Sequence, residues 1–544
     1  MQDVLIIGSG ISGMSCAIRC AEHGMHATLV SPLPSERAQS VMAAGGINAV
    51  TLEHEGGDSV VGHIEDTLRG GAWLGGKNAV AGLCEHAEDI VRYLEKIGTV
   101  FSVDENGRPL MRAFGGQTHK RTHYCGSSTG KQIVSALVME ARRYEAAGLI
   151  DRRLGQHFHS ALIEDGVCYG ALMFDEGSEQ LAPTYADAVV MAVGGQNALF
   201  GKTTGSALCD GYAVGRLFAQ GAVLKNLEFV QYHPTTLETS QKRMLVSEAA
   251  RGEGGRLFYR KDGERVYFME DKYGRNGNLM TRDVVSREID ACGHEVFLDV
   301  SFLGEQTIDQ RLPEVRDLCQ KYRGIDIARE PIPVAPSVHF FMGGLAVHLN
   351  HETSIRRLYA VGECASMYHG ANRLGGNSLL AALYSGWVAA DDMAQAASVT
   401  RRPNFGTTAW QEQRQLDAMR DTRSPYPVMY TRDMLADTMR TQLGIVRNAD
   451  KLNAGIASIE HDLEIAKQLR YDPSVSTYTN YSITAILSLA RAALSCALAR
   501  KESRGAHFRS DYPQSSNEFC APTLISYNDG NYEVRLDEGW TYES

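Results

Sequence analysis

The sequence predicts an α/β protein built from more than one module, and three observations predict it. At 544 residues the chain exceeds what one hydrophobic core organises, so two to four modules are expected. Residues 4–30, VLIIGSGISGMSCAIRCAEHGMHATLV, read as strand, glycine turn, helix, strand. From about 227 to 340 the texture changes to shorter elements with many polar turns, and from 405 to 500 apolar residues recur at the helical period, as in MLADTMRTQLGIV and ITAILSLARAALSCAL.

Taken in order, Gly8, Gly10 and Gly13 form GxGxxG directly after an apolar run and directly before a helix that Ser12 helps to open. The first glycine permits the tight turn, and the second lets backbone approach a pyrophosphate. The third lets helix and strand pack closely, with the helix N-terminus facing the negative charge. A Rossmann-like dinucleotide module follows. The acidic residue expected about 20 positions on is absent, since the second strand ends at Ser31 and Pro32, so this segment alone leaves the dinucleotide open. DAVVMAVGG, a buried strand ending in Gly194 and Gly195, and RLYAVGECA, with Glu363 able to hold ribose hydroxyls, resemble the segments by which flavin folds return to and close on the cofactor. Three separated contacts favour FAD over NAD.

Composition narrows the function classes. Hydrophobic residues make up 44% and charged residues 22%, as in an ordinary globular protein. The formal charge of -11 offers no basic face to a phosphate backbone, which excludes nucleic acid as the expected partner. Cys16 and Cys20 lie one turn apart in an apolar helix, which suits packing, and the 11 cysteines read as buried thiols of a reducing compartment. No cysteine run has iron-sulfur spacing, so electrons passing through such clusters require another chain. The first strand begins at Asp3 or Val4, leaving no room for a leader, and Arg491 interrupts the most apolar helix, Ile483–Ala499. A cytoplasmic place is expected, and no repeat is present.

Six residues suit a small dicarboxylate held between charged donors: His233 in FVQYHPT, Glu248 and Arg251 in SEAARGEGG, Arg282 in TRDVVS, His339 in SVHFFMGG and Arg373 in HGANRLGGNS. Taken singly, the two histidines are structural, GEGG and MGG are turns, and Arg287 is an ion-pair partner. Together with the nucleotide turn, their order and spacing resemble the flavoprotein-subunit family of succinate dehydrogenase and fumarate reductase, which also contains L-aspartate oxidase. The resemblance runs from residue 4 to about residue 512.

The resemblance implies an FAD-binding domain in two parts, 1–226 and 340–392, an inserted α+β capping domain at 227–339, a C-terminal helical domain at 393–512 and a tail at 513–544. It implies that Arg373 forks one carboxylate of fumarate or succinate, with Gly375 and Gly376 letting N–H groups come near. His233, His339 and the Ser247 hydroxyl bind the other oxygens. Arg282 gives the proton that accompanies hydride from flavin N5 and is reprotonated through Glu248 and Arg251, while Asp283 orients its neighbours. Ser40, Gln39, Ala44, Gly45, Gly46, Asn377, Ser378 and Leu379 join the glycine turn in holding FAD. Members with covalent FAD carry a histidine where this chain has Gln39, and an amide forms no histidyl bond. Non-covalent FAD is therefore expected, with AAGG as in soluble fumarate reductases. In the family, loss of the link lowers the flavin potential, favouring fumarate reduction. Arg504 and His507, in KESRGAHFRSDYP, are expected to be structural.

Within the family three readings compete. The first is a fumarate reductase subunit with an iron-sulfur partner, held indirectly at the inner face of the membrane. The second is L-aspartate oxidase, and the third a non-catalytic electron-transfer subunit. Aspartate oxidases carry a Glu where RAFGGQTHKR has Phe114, followed by Gln117. A buried Phe leaves a substrate ammonium unpaired. The first reading is preferred.

Overall fold

A run of apolar residues at Asp3–Ile7, buried from Val4 onward, forms the central strand of a five-stranded parallel sheet. The computed structural model describes residues 2–51, 57–126, 128–399, 402–421, 426–528, 530–537 and 539. The sheet order is Leu358–Ala360, Ala188–Met191, Asp3–Ile7, His26–Ser31, Ile150–Leu154, with every pair parallel. Strands buried on both faces need continuous apolar sequence, which VLII, ATLV and AVVM supply. The helix Ile11–Glu22 joins the first two strands and buries Cys16 and Cys20 completely. The helix Asn377–Met393 lies against it so closely that a Cβ on Gly386 would stand 2.8 Å from the Cys16 nitrogen. The glycine-turn module predicted from sequence is thus present, with residues from before and after the insert.

The insert is a six-stranded antiparallel sheet with a core of its own, including Leu237, Val285, Leu298 and Ile332. Its longest strands, Val230–Glu238 and Ile332–Phe341, pair antiparallel with His233 opposite Ser337. They are also where the chain enters and leaves the cap, so residues on them stand at the seam with the FAD module.

Helices Gly406–Arg420, Val428–Gln442, Ala449–Ala466 and Thr477–Ala499 form the C-terminal part. Among the described residues Thr477–Ala499 is the one helix long and apolar enough to cross a membrane, but 67% of that window is buried inside the protein. Arg491 pairs with Glu460 at 2.8 Å. Arg504 pairs with Glu502 at 2.7 Å, and His507 meets Arg447 at 2.8 Å, within a buried network in which Arg500 reaches Glu228 at 2.6 Å. That network anchors the residue just before the first cap strand.

Two expectations are corrected. The segment from 513 onward is no tail through its described residues: Thr523–Asn528 and Asn531–Leu536 form a hairpin, and its first strand pairs with Leu224–Lys225. Polar surface residues masked a strand whose inward Leu524 and Ile525 are fully buried. Arg287 makes no ion pair with a described residue; its guanidinium lies over the Phe508 ring at 4.6 Å.

Candidate active site

Between the FAD module and the cap lies a cavity of about 620 Å³. One end is the glycine turn. Gly8 has φ +108° and its Cβ would fall 2.3 Å from the Ala192 carbonyl, while a Cβ on Gly13 would sit 2.0 Å from the Gly8 carbonyl. The turn therefore excludes side chains and points the N-terminus of Ile11–Glu22 at the cavity, as an anionic pyrophosphate requires. Ser12, Ser31, Gln39, Ser40, Ala44, Gly45, Gly46, Gly194 and Glu363 continue the wall, with Gly376, Ser378 and Leu379 opening the second long helix. Burial pushes the Glu363 carboxyl up to about 7, and its Oε1 accepts from the Phe341 N–H at 3.1 Å. A cleft with a helix N-terminus aimed into it, a buried carboxyl in its wall and no room for side chains at the turn fits FAD.

The other end gathers His233, Ser247, Glu248, Arg282, His339, Arg373 and Phe114 from both modules. Arg282 begins the helix Arg282–Ala291 and donates to Glu248 Oε2 through Nε at 3.0 Å and Nη2 at 2.8 Å. Arg251 stands 3.1 Å from Glu248 Oε1. The two histidine rings meet edge to face at 5.3 Å, and His339 Nδ1 lies 2.9 Å from the Thr204 hydroxyl. Arg373 lies over the Phe340 ring at 4.3 Å and donates to Gln231 at 3.1 Å. The Phe114 ring packs on Gly45 and Gly375.

Burial, and then the Arg282 guanidinium, push both histidines well below the usual imidazole range, so both are neutral. Burial alone would raise Glu248, but Arg282 and Arg251 hold it down at about 2. Burial and Arg282 lower Arg373 to about 9, still charged at neutral pH. Among the groups gathered at this end, the three guanidiniums of Arg251, Arg282 and Arg373 against the Glu248 carboxylate leave two positive charges, which Glu363 in the wall offsets only in part.

Some sequence-predicted residues stand behind the wall. Arg251 is behind Glu248, and Gly13 serves packing. Gly195 faces Glu363, and Gly375 faces the Phe114 ring. Asn377 opens the second long helix with its side chain engaged by the protein. It is fully buried, its Oδ1 accepting from Asn48 at 2.7 Å and its Nδ2 donating to Thr67 at 2.9 Å. Sequence reasoning missed Gln231, Asn372 and Thr204. Gln231 was inside a quoted motif, two residues before His233 on one strand, where alternation puts both on one side. Thr204 carried no signal.

Residues 3–379 match the family described as FAD binding domain, and residues 432–541 match Fumarate reductase flavoprotein C-term. The succinate dehydrogenase flavoprotein subunit of Bacillus subtilis (strain 168) is 35% identical, covering 98% of this chain and 95% of the relative. The fumarate reductase flavoprotein subunit of Haemophilus influenzae is 33% identical over 97% of this chain and 92% of its own. The FrdA chain of E. coli quinol fumarate reductase has the same fold with a TM-score of 0.90 at 29% identity, covering 98% of this chain and 96% of that one. The chain therefore belongs to the family of succinate dehydrogenase and fumarate reductase flavoprotein subunits, FAD-dependent oxidoreductases.

Proposed function

We propose that the chain interconverts fumarate and succinate, working towards fumarate reduction, with FAD bound without a covalent link. The observation that carries this reading is charge balance in a buried site: two net positive charges beside two neutral histidines, enough for both carboxylates of a dianion. Each charge-assisted bond is worth roughly 1.5–3 kcal/mol. FAD bound in the cleft would supply or accept the hydride. Arg373 forks one carboxylate, and His233, His339 and Ser247 bind the other. Arg282 holds the proton for the neighbouring carbon, and Glu248 and Arg251 return it along the contacts of 2.8 and 3.1 Å. Phe114 and the seated cap exclude water, which strengthens every one of these interactions.

Gln39 donates to the Thr204 carbonyl at 3.3 Å, a hydrogen-bonding role in place of a histidyl linkage. The likeness to quinol fumarate reductase supports an iron-sulfur subunit as electron-transfer partner and, through it, a cytoplasmic place at the membrane. Phe114 in the wall speaks against aspartate oxidation. Anaerobic oxidation of a reduced viologen by the FAD-loaded protein tests the activity: rapid fumarate-dependent bleaching is expected, whereas hydrogen peroxide made from L-aspartate and oxygen would replace this reading with an oxidase. Acid precipitation should release all flavin into the supernatant.

A further inference from the structure

Gln231 stands behind the arginines and is wholly buried. Its Oε1 accepts from Arg282 Nη1 at 3.0 Å and from Arg373 Nη2 at 3.1 Å. Its Nε2 donates to Asn372 Oδ1 at 2.7 Å and to the Arg373 carbonyl at 2.8 Å. Asn372 Nδ2 in turn donates to Asp283 Oδ1 at 2.8 Å. The two ends of the amide are not interchangeable, because a flipped NH2 would face two guanidiniums. Gln231 and Arg282 belong to the cap, and Arg373 to the FAD module, so one amide spans the seam.

Two guanidiniums sharing an acceptor repel each other, and a carboxylate would hold them more strongly. A carboxylate there would also cancel charge that a dianionic ligand needs. Glu248 already pairs with Arg282 and Arg251, Asp283 is kept one residue away by Asn372, and the facing His233 and His339 are neutral. An amide orders both arginines without adding negative charge. We infer that Gln231 is a positioning residue: its neutral carbonyl registers Arg282 against Arg373 across the domain seam while leaving their charge to the substrate, and Asn372 and Asp283 hold it the right way round. This rests on the dicarboxylate reading above.

The test is calorimetric titration of the FAD-loaded protein with malonate, an unreactive dianion, comparing wild type with Gln231→Glu. The variant has the same length and keeps both arginines paired, so a merely structural role predicts equal or tighter binding. The inference predicts a rise in malonate Kd of about 10²-fold or more, with FAD retained and the unfolding temperature not lowered. Unchanged affinity in the variant overturns the inference and leaves the dicarboxylate site standing. Failure of the wild type to bind malonate overturns both. Should Gln231→Glu not fold, Gln231→Met keeps length and neutrality but removes the acceptor. A rise in malonate Kd of about tenfold is then expected, and unchanged affinity again overturns the inference.

Discussion

Glu248 meets Arg282 and Arg251 through different oxygens, Oε2 at 2.8 Å from Arg282 Nη2 and Oε1 at 3.1 Å from Arg251 Nη2. On the proposed function, this carboxylate bridging two guanidiniums is the route that returns the proton to Arg282. Arg282→Ala should lower fumarate turnover by about 10²–10⁴ while leaving FAD bound. Glu248→Gln keeps the shape but removes the basic oxygen, and a loss of similar size is expected. Turnover of Arg282→Ala near that of the wild type, measured with reduced viologen, would remove Arg282 from the mechanism.

Acid should destabilise this fold earlier than carboxylate chemistry alone would. Burial lowers His63 and His351 to about 4 and His369 to about 3, and pushes His233, His339 and His507 well below the usual range. As pH falls through about 6.5, the unfolded chain takes up protons that the folded one refuses, so stability falls. Glu363 acts in the opposite sense. Its folded pKa of about 7 exceeds the ordinary 4.5, so its contribution is complete below 4.5 and is lost as pH rises through 7. Glu248 contributes above 4.5 and loses its contribution as pH falls to about 2. Burial also raises Asp210, Asp283, Asp290 and Asp462, which act in the same sense as Glu363 from an ordinary value of 3.8. The six histidines outweigh these carboxyls, and the melting temperature should drop from pH 6.5 to 4.5. A flat profile would mean that these rings do not stay neutral in the folded protein.

On the proposed function, Phe114, which lines the cavity, is the residue that distinguishes one dicarboxylate from another. Its ring closes the wall between Gly45 and Gly375, so Phe114→Glu would place an unpaired carboxylate in a nearly water-free position. The KM for fumarate should rise at least about tenfold with FAD content unchanged. An unaltered KM would show that position 114 does not sense substrate charge.

How much of this was legible in sequence depended on whether a residue's partner lay nearby in the chain. Gly8, Gly10 and Gly13 were readable because turn, helix and strand are contiguous. Glu248 and Arg251 were readable because three residues make one helical turn. Gln231 was not, since its role exists only when residues 282 and 373 come together. The surroundings of Asn377 were hidden for the same reason: its three side-chain partners, Asn48, His63 and Thr67, are more than 300 positions away. The hairpin that begins at Thr523–Asn528 was hidden because only the first three residues of that strand are buried and its partner strand lies at Leu224–Lys225.

That last pairing bears on how the chain is made. A ribosome delivers Leu224 and Lys225 long before Leu524 and Ile525, and until the final turn emerges the earlier strand has an open edge. Lys225, fully buried in the finished protein, stays wet in the interval. Nascent chains stalled short of residue 523 should therefore be held by chaperones.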